Sequence, residues 1–111
     1  MKLFAKPQVL KTLLIAGSVS LMLAGTAHAD GEAVYKKACK GCHSTGMMGA
    51  PKVGDTADWA ARSGQGMDTL NKHAIKGFKG AKGFMPAKGG KSSLTDDEVK
   101  AAVTYMVDNS K

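Results

Sequence analysis

Cys39-Lys40-Gly41-Cys42-His43 puts two thiols three residues apart, with an imidazole directly after the second. These are the only cysteines in the 111-residue chain. Four chemistries use such groups. Covalent haem attachment has Cys-x-x-Cys-His as its pattern. Thiols one helical turn apart can reach the two vinyl groups on one porphyrin edge, and the adjacent imidazole is then carried under the ring. A redox dithiol of thioredoxin type needs a strand-to-helix junction in a βαβ setting, and no such pattern surrounds the pair. A plain disulfide across so small a loop restrains little of the unfolded chain. A zinc site needs more ligands than two cysteines and one histidine, and no second cluster exists. The pattern favours haem.

With His43 (Nε2 or Nδ1) on one side of an iron, a second axial donor is sought among the methionines. Met47 and Met48 lie too near His43 to wrap round a ring easily. Met67 and Met106 fall in helical apolar stripes and read as core filler. Met85 sits in "GFMPAKGG", a loop with Gly83 before it and Pro86 after it. Glycine permits close backbone approach and proline stiffens the turn. Histidine with methionine is an established axial pair in cytochromes c, so Met85 is the expected second ligand. His73 reads as solvent-facing on the flank of its helix. His28 falls in the leading segment.

That leading segment has the layout of a secretory signal: Lys2, Lys6 and Lys11, then an apolar run from Leu13 to Gly25, then Ala27-His28-Ala29. The run is short for a membrane span. Removal of residues 1–29 is expected to leave residues 30–111 as one exported domain with no stable membrane insertion, which in a bacterium means the periplasm. A chain of that size, rich in glycine, has little core of its own and usually needs a staple, metal or cofactor.

The elements that must position these residues read as helices. Asp30 caps a helix that ends near Gly41, with Val34, Tyr35 and Ala38 on one face. Residues 44–55 form a loop, and residues 55–62 a helical turn carrying Trp59. Met67, Leu70, Ala74 and Ile75 mark a second helix over 67–76, closed by Gly77 as a left-handed cap. Residues 77–91 form a glycine-rich loop. Thr95-Asp96-Asp97-Glu98 is a capping box opening a last helix with Val99, Ala102, Val103 and Met106 on its inner stripe. No segment alternates as a half-buried strand does. The expected fold class is all-α, with short helices and long glycine-rich loops.

Cys39 to His43, "GAPKVGD", Trp59, "GMDTL" and "MPAKGG" together resemble the short bacterial class I cytochromes c, closest to the cytochrome c-five branch. The resemblance spans essentially all of residues 30–111. It implies a fold wrapped around one covalently bound haem c, with the first and last helices crossing. It also implies that Pro51 offers its carbonyl to the far nitrogen of His43, fixing ring orientation and tautomer. Trp59 is expected either to pack at the haem edge and donate to a propionate or to serve as a core aromatic. Many members carry an extra cysteine pair, one of them just after "KGG". Lys91 stands there instead, so greater mobility is expected over 77–94.

Iron held on both axial sides has no room for substrate, which points to a one-electron carrier rather than an enzyme. A thioether ligand and a buried ring raise the reduction potential. The chain carries a net charge of +7. Lys72, Lys76, Lys79, Lys82, Lys88 and Lys91 are expected to ring the exposed haem edge and steer redox partners with acidic docking surfaces. A quinol–cytochrome c reductase or a terminal oxidase or peroxidase is the partner class the resemblance implies. The alternative is a haem-based ligand sensor or small peroxidase, which needs Met85 to be displaceable. Nucleic acid is not expected as a partner, since interleaved aromatics are lacking.

Overall fold

The computed structural model describes residues 29–111. The signal assigned to residues 1–29 therefore lies, except for Ala29, outside the described residues. Asp30 caps the first helix as expected, its carboxylate accepting from the Glu32 and Ala33 N–H groups at 3.1 and 3.2 Å. Helix α1 is Gly31–Val34, Tyr35–Cys39 forms a π-helical turn, and α2 is Lys40–His43. The helical run ends at His43, two residues beyond Gly41. The π-turn is closed by the Lys40 N–H on the Tyr35 carbonyl. One extra residue in a turn rotates the rest of the helix by about 100°. Val34 and Tyr35 consequently face the core while Cys39, Cys42 and His43 line a cavity.

Helix α3 is Thr56–Ser63, with the Asp55 carboxylate accepting from the Asp58 N–H at 3.1 Å. Helix α4 is Met67–Lys76. Gly77 comes next, with φ 87 and ψ 159. That is a positive φ with extended ψ, a glycine conformation but not the left-handed cap expected. The loop foreseen over 77–91 contains a hairpin. Strand β1, Phe78–Gly80, pairs antiparallel with β2, Gly83–Met85, in the register Phe78↔Met85, Lys79↔Phe84 and Gly80↔Gly83. Three-residue strands are too short to show alternation, which is why the sequence pattern is silent about them.

Helix α5 is Asp96–Asp108, and both arms of its capping box are made. The Glu98 N–H donates to the Thr95 hydroxyl at 3.2 Å, and the Thr95 N–H to the Glu98 carboxylate at 3.0 Å. Val99, Ala102, Val103, Met106 and Val107 are buried along its inner face. Helix α1 crosses α5 at Gly31, where an added Cβ would collide with the Ala101 carbonyl. The Tyr35 and Tyr105 rings meet beside this crossing, 5.2 Å between centroids. Val34, Tyr35, Trp59, Ala74 and Leu94 complete the core. Met106 belongs to it as expected, but Met67 is 37% exposed and is not core filler. Its place in the first turn of α4 turns it outward.

Candidate functional site

A cavity of about 410 Å³ opens beside the core. Its walls come from the end of the π-turn and α2, from α3, from α4, from the hairpin and from α5. Leu70, Ala74, Val103 and Met106 supply the apolar back, and Cys39, Cys42, His43 and Met85 all line it. The four residues singled out by type and spacing are therefore brought to one enclosure.

His43 is 6% exposed. Its Nδ1–H donates to the Pro51 carbonyl at 2.9 Å, the contact the resemblance implies. Burial, the largest influence, and the Arg62 charge depress its basicity, while the Pro51 bond opposes them. With Nδ1 committed, a neutral ring leaves the Nε2 lone pair for a metal. Pro51 is itself held by its neighbours. The Val53 N–H returns to the His43 carbonyl at 2.8 Å, and the Gly54 N–H donates to the Ser110 hydroxyl at 2.9 Å. Ser110, 3% exposed, donates in turn to the Met106 carbonyl at 2.6 Å. This clamp from the chain's last turn has no sequence signature.

Cys39 and Cys42 are half-buried and not bridged to each other. Burial, with a smaller contribution from Cys42, pushes the Cys39 thiol up to about 11. A dithiol exchanger needs the opposite shift, toward thiolate. Among the described residues, no three His, Cys, Asp or Glu side chains gather as a metal cage. The raised thiol runs against the thioredoxin reading.

Trp59 is 5% exposed and lines the cavity, but its indole N–H donates to the Lys52 carbonyl at 2.8 Å. Its one donor is taken by the backbone, and its ring belongs to the core. Its ring lies 6.2 Å from that of His43. One turn along α3, Arg62 reaches the same cavity and donates Nε–H to the Asp58 carboxylate at 2.8 Å, with Lys82 4.0 Å from the same oxygen. The Asp58–Arg62 spacing of four residues astride Trp59 was the available signal for this charged rim.

His73 is not solvent-facing. Its ring stacks on Phe78 at 4.1 Å and contributes to the cavity wall. The lysines do not form one ring either. Among them only Lys82 lines the cavity. Lys72 and Lys76 border a separate hollow between α4 and α5 with Asp68, Asp96 and Lys100. Lys88 is turned inward onto Leu94.

The donor set fits a haem. Apolar walls, a buried neutral imidazole, two thiols on one turn, a thioether and a cationic rim share one enclosure. Residues 26–106 match the family described as "Cytochrome C oxidase, cbb3-type, subunit III". The chain is 56% identical over 96 residues to "Cytochrome c-555" of Chlorobaculum tepidum, across 83% of this chain and 89% of that one. It is 40% identical over 79 residues to "Cytochrome c5" of Azotobacter vinelandii, across 69% and 90%. The chain belongs to the small class I cytochromes c of c5 type. Among solved structures, a mono-haem ferrocytochrome c from Shewanella putrefaciens superposes with a TM-score of 0.59 at 43% identity, covering 74% of this chain and 95% of that one. A chain from the electron transfer complex of nitrite reductase with cytochrome c gives 0.65 at 40% identity, with the same coverages. This c5-type cytochrome carries one covalently bound haem c with its iron, and Cys39 and Cys42 occupy the Cys-x-x-Cys-His position. Its family members are small monohaem electron carriers.

Proposed function

We propose that this c5-type cytochrome is an exported one-electron carrier. In this reading Cys39 and Cys42 would hold the haem through thioethers, and His43 and Met85 would hold its iron. The observation that carries it is that one cavity is lined by all four, with the imidazole buried and locked through Nδ1 to Pro51 at 2.9 Å. When bound, the haem supplies an iron that gains or loses one electron. The rest falls to the chain. Pro51 holds the His43 tautomer and stops the ring from turning. Leu70, Ala74, Val103 and Met106 exclude water, so that little solvent must reorganise when charge changes. The 83–85 strand and the 87–90 turn fix Met85, so that ligation need not change with oxidation state. Arg62 brings a cation to a site whose prosthetic group carries carboxylates.

Export is supported by the charged, apolar and small-residue layout of residues 1–29, and residues 30–111 are the proposed domain. Among the described residues, no helix is long and apolar enough to cross a membrane. The partner we propose is a redox enzyme with an acidic docking surface, met through exposed lysines in a small, transient contact. The related cytochrome seen with nitrite reductase supports that class.

The test is a visible spectrum of the holoprotein, oxidised then reduced, with carbon monoxide added to the ferrous form. Sharp paired bands and slow binding are expected. Met85→Ala should lower the potential and admit carbon monoxide. Rapid binding to the unaltered protein would favour the sensor or peroxidase alternative, and an unchanged Met85→Ala spectrum would show another residue to be the ligand.

A further inference from the structure

We propose that Lys88 is a positioning residue for Met85: a strap that ties the ligand's loop to the start of α5. The inference rests on the axial role proposed for Met85. Lys88 lies three residues beyond Met85, in the turn Ala87–Gly90. Its backbone is in the left-handed region, φ 54 and ψ 29, where a residue other than glycine persists only if its surroundings hold it there. The side chain is what holds it. Nζ donates to the Leu94 carbonyl at 2.7 Å and pairs with the Asp96 carboxylate at 3.2 Å. Leu94 is 3% exposed in the core, and Asp96 is the first residue of α5. The Lys88 side chain is 22% exposed, against 77% for Lys82. It serves as an internal tie and not as part of a docking surface.

The other restraints on this turn are backbone contacts. Gly77 packs where a Cβ would stand 3.1 Å from the Met85 carbonyl oxygen, and Gly89 where one would stand 2.6 Å from the Ala38 carbonyl oxygen. Both are van der Waals contacts that resist compression but not separation. Backbone hydrogen bonds also run along the segment, from the Lys91 N–H to the Lys88 carbonyl at 3.1 Å and from the Leu94 N–H to the Lys91 carbonyl at 3.0 Å, but the Lys88 ammonium alone reaches from the turn directly to the start of α5. Between Lys88 and Leu94, residues 91–93 are exposed and bring no burial of their own. Without the strap, the turn is held by backbone bonds alone, and Met85, at the end of the hairpin strand that leads into it, leaves the cavity more often.

The readout is carbon monoxide association with the ferrous holoprotein, which reports how often Met85 is off the iron. Lys88→Ala should speed association about tenfold, since losing a charged hydrogen bond shifts an opening equilibrium by roughly one decade. Val34→Ala trims a buried core residue that does not line the cavity and serves as the stability control. It should lower the melting temperature yet leave association within about twofold of the unaltered protein. Met85→Ala sets the fully open limit. If Lys88→Ala does not accumulate with haem, Lys88→Gln, which keeps a packing stem but loses charge and reach, takes its place under the same expectations. Unaltered association in the Lys88 variant with fast association in Met85→Ala overturns the strap and leaves the ligand assignment standing. Equal acceleration by Val34→Ala also overturns the strap, because the loosening is then global. Unaltered association in Met85→Ala overturns the ligand assignment and the strap together.

Discussion

The two sides of the cavity are built by opposite means. On the His43 side, both thiols and the imidazole sit on one continuous helical run, and helix geometry alone aligns them. Their conformation is set largely by neighbours in sequence. On the Met85 side almost nothing is local. The hairpin is wedged against the 47–49 turn, where an added Cβ on Gly49 would collide with the Lys82 carbonyl and one on Gly83 with the Met48 carbonyl. Beyond Met85, the chain is tied by Lys88 to Leu94 and pressed by Gly89 onto Ala38. One side is a single element with a covalent attachment. The other is a junction of four segments held by backbone contact and one ammonium. The second axial donor is therefore the adjustable part of this fold.

The largest expected effect removes the object both sides enclose. Without haem, about 410 Å³ of mostly apolar space has no filler. At about 24 cal/mol per Å³ a closed cavity of this volume would cost on the order of 10 kcal/mol; this one is open on one side, so that is an upper bound, and even half of it matches the few kcal/mol a core of this size supplies. A chain made where haem cannot be attached should lose most of its helical circular dichroism. A native-like spectrum would mean that the His43 side folds on its own, which would sharpen the contrast.

Next comes a paired substitution. Gly83→Ala forces backbone against the Met48 carbonyl, which overpacking costs put at about 3 kcal/mol, or roughly 15 °C in melting temperature. Gly41→Ala places a Cβ where nothing lies within 4 Å, in a helix. It should be neutral or stabilising by about 0.5 kcal/mol. Equal melting shifts for the two would break the distinction between a local side and a long-range one.

Legibility in the sequence divides along the same line. Cys39, Cys42 and His43 declare their chemistry by spacing, and α3, α4 and α5 announce themselves by periodicity and caps. The capping box at Thr95 and Glu98 is a short-range pattern, so it can be read directly. Met85 stands out by elimination and by its glycine and proline neighbours. The π-turn is not legible, because inserting one residue in a turn has no side-chain signature. The hairpin strands are too short to alternate. His73 against Phe78, Trp59 onto Lys52, Ser110 onto Gly54 and Lys88 onto Leu94 are partnerships that only the folded chain makes. Lysine in a loop reads as surface until its acceptor is known.

Ser110→Ala tests whether the His43 side is as self-contained as its helix suggests. Loss of its bonds to Gly54 and Met106 should cost about 2 kcal/mol in thermal unfolding, about 1 kcal/mol for each hydrogen bond. If the reduction potential also moves, Pro51's grip on His43 depends on the far end of α5, and the local side has a long-range support after all.

The smallest effect lies at the start of α5, where the Lys88 strap is anchored. Thr95→Ala removes the N-cap and should lower stability by about 1 kcal/mol. Glu98, the other arm of the box, adds a pH signature. Its carboxyl is held below the ordinary value of 4.5, first by the Thr95 backbone N–H and then by the Thr95 hydroxyl. A depressed folded-state value means the stabilisation is fully present above the unfolded value and fades as pH falls through the folded one. Glu98→Gln should therefore melt below the unaltered protein at pH 7, with the gap closing toward pH 3. A gap unchanged between those two pH values would mean that the carboxylate's charge contributes nothing to the cap. The anchor of the Met85 side would then rest on the Thr95 hydroxyl and the apolar face of α5 alone.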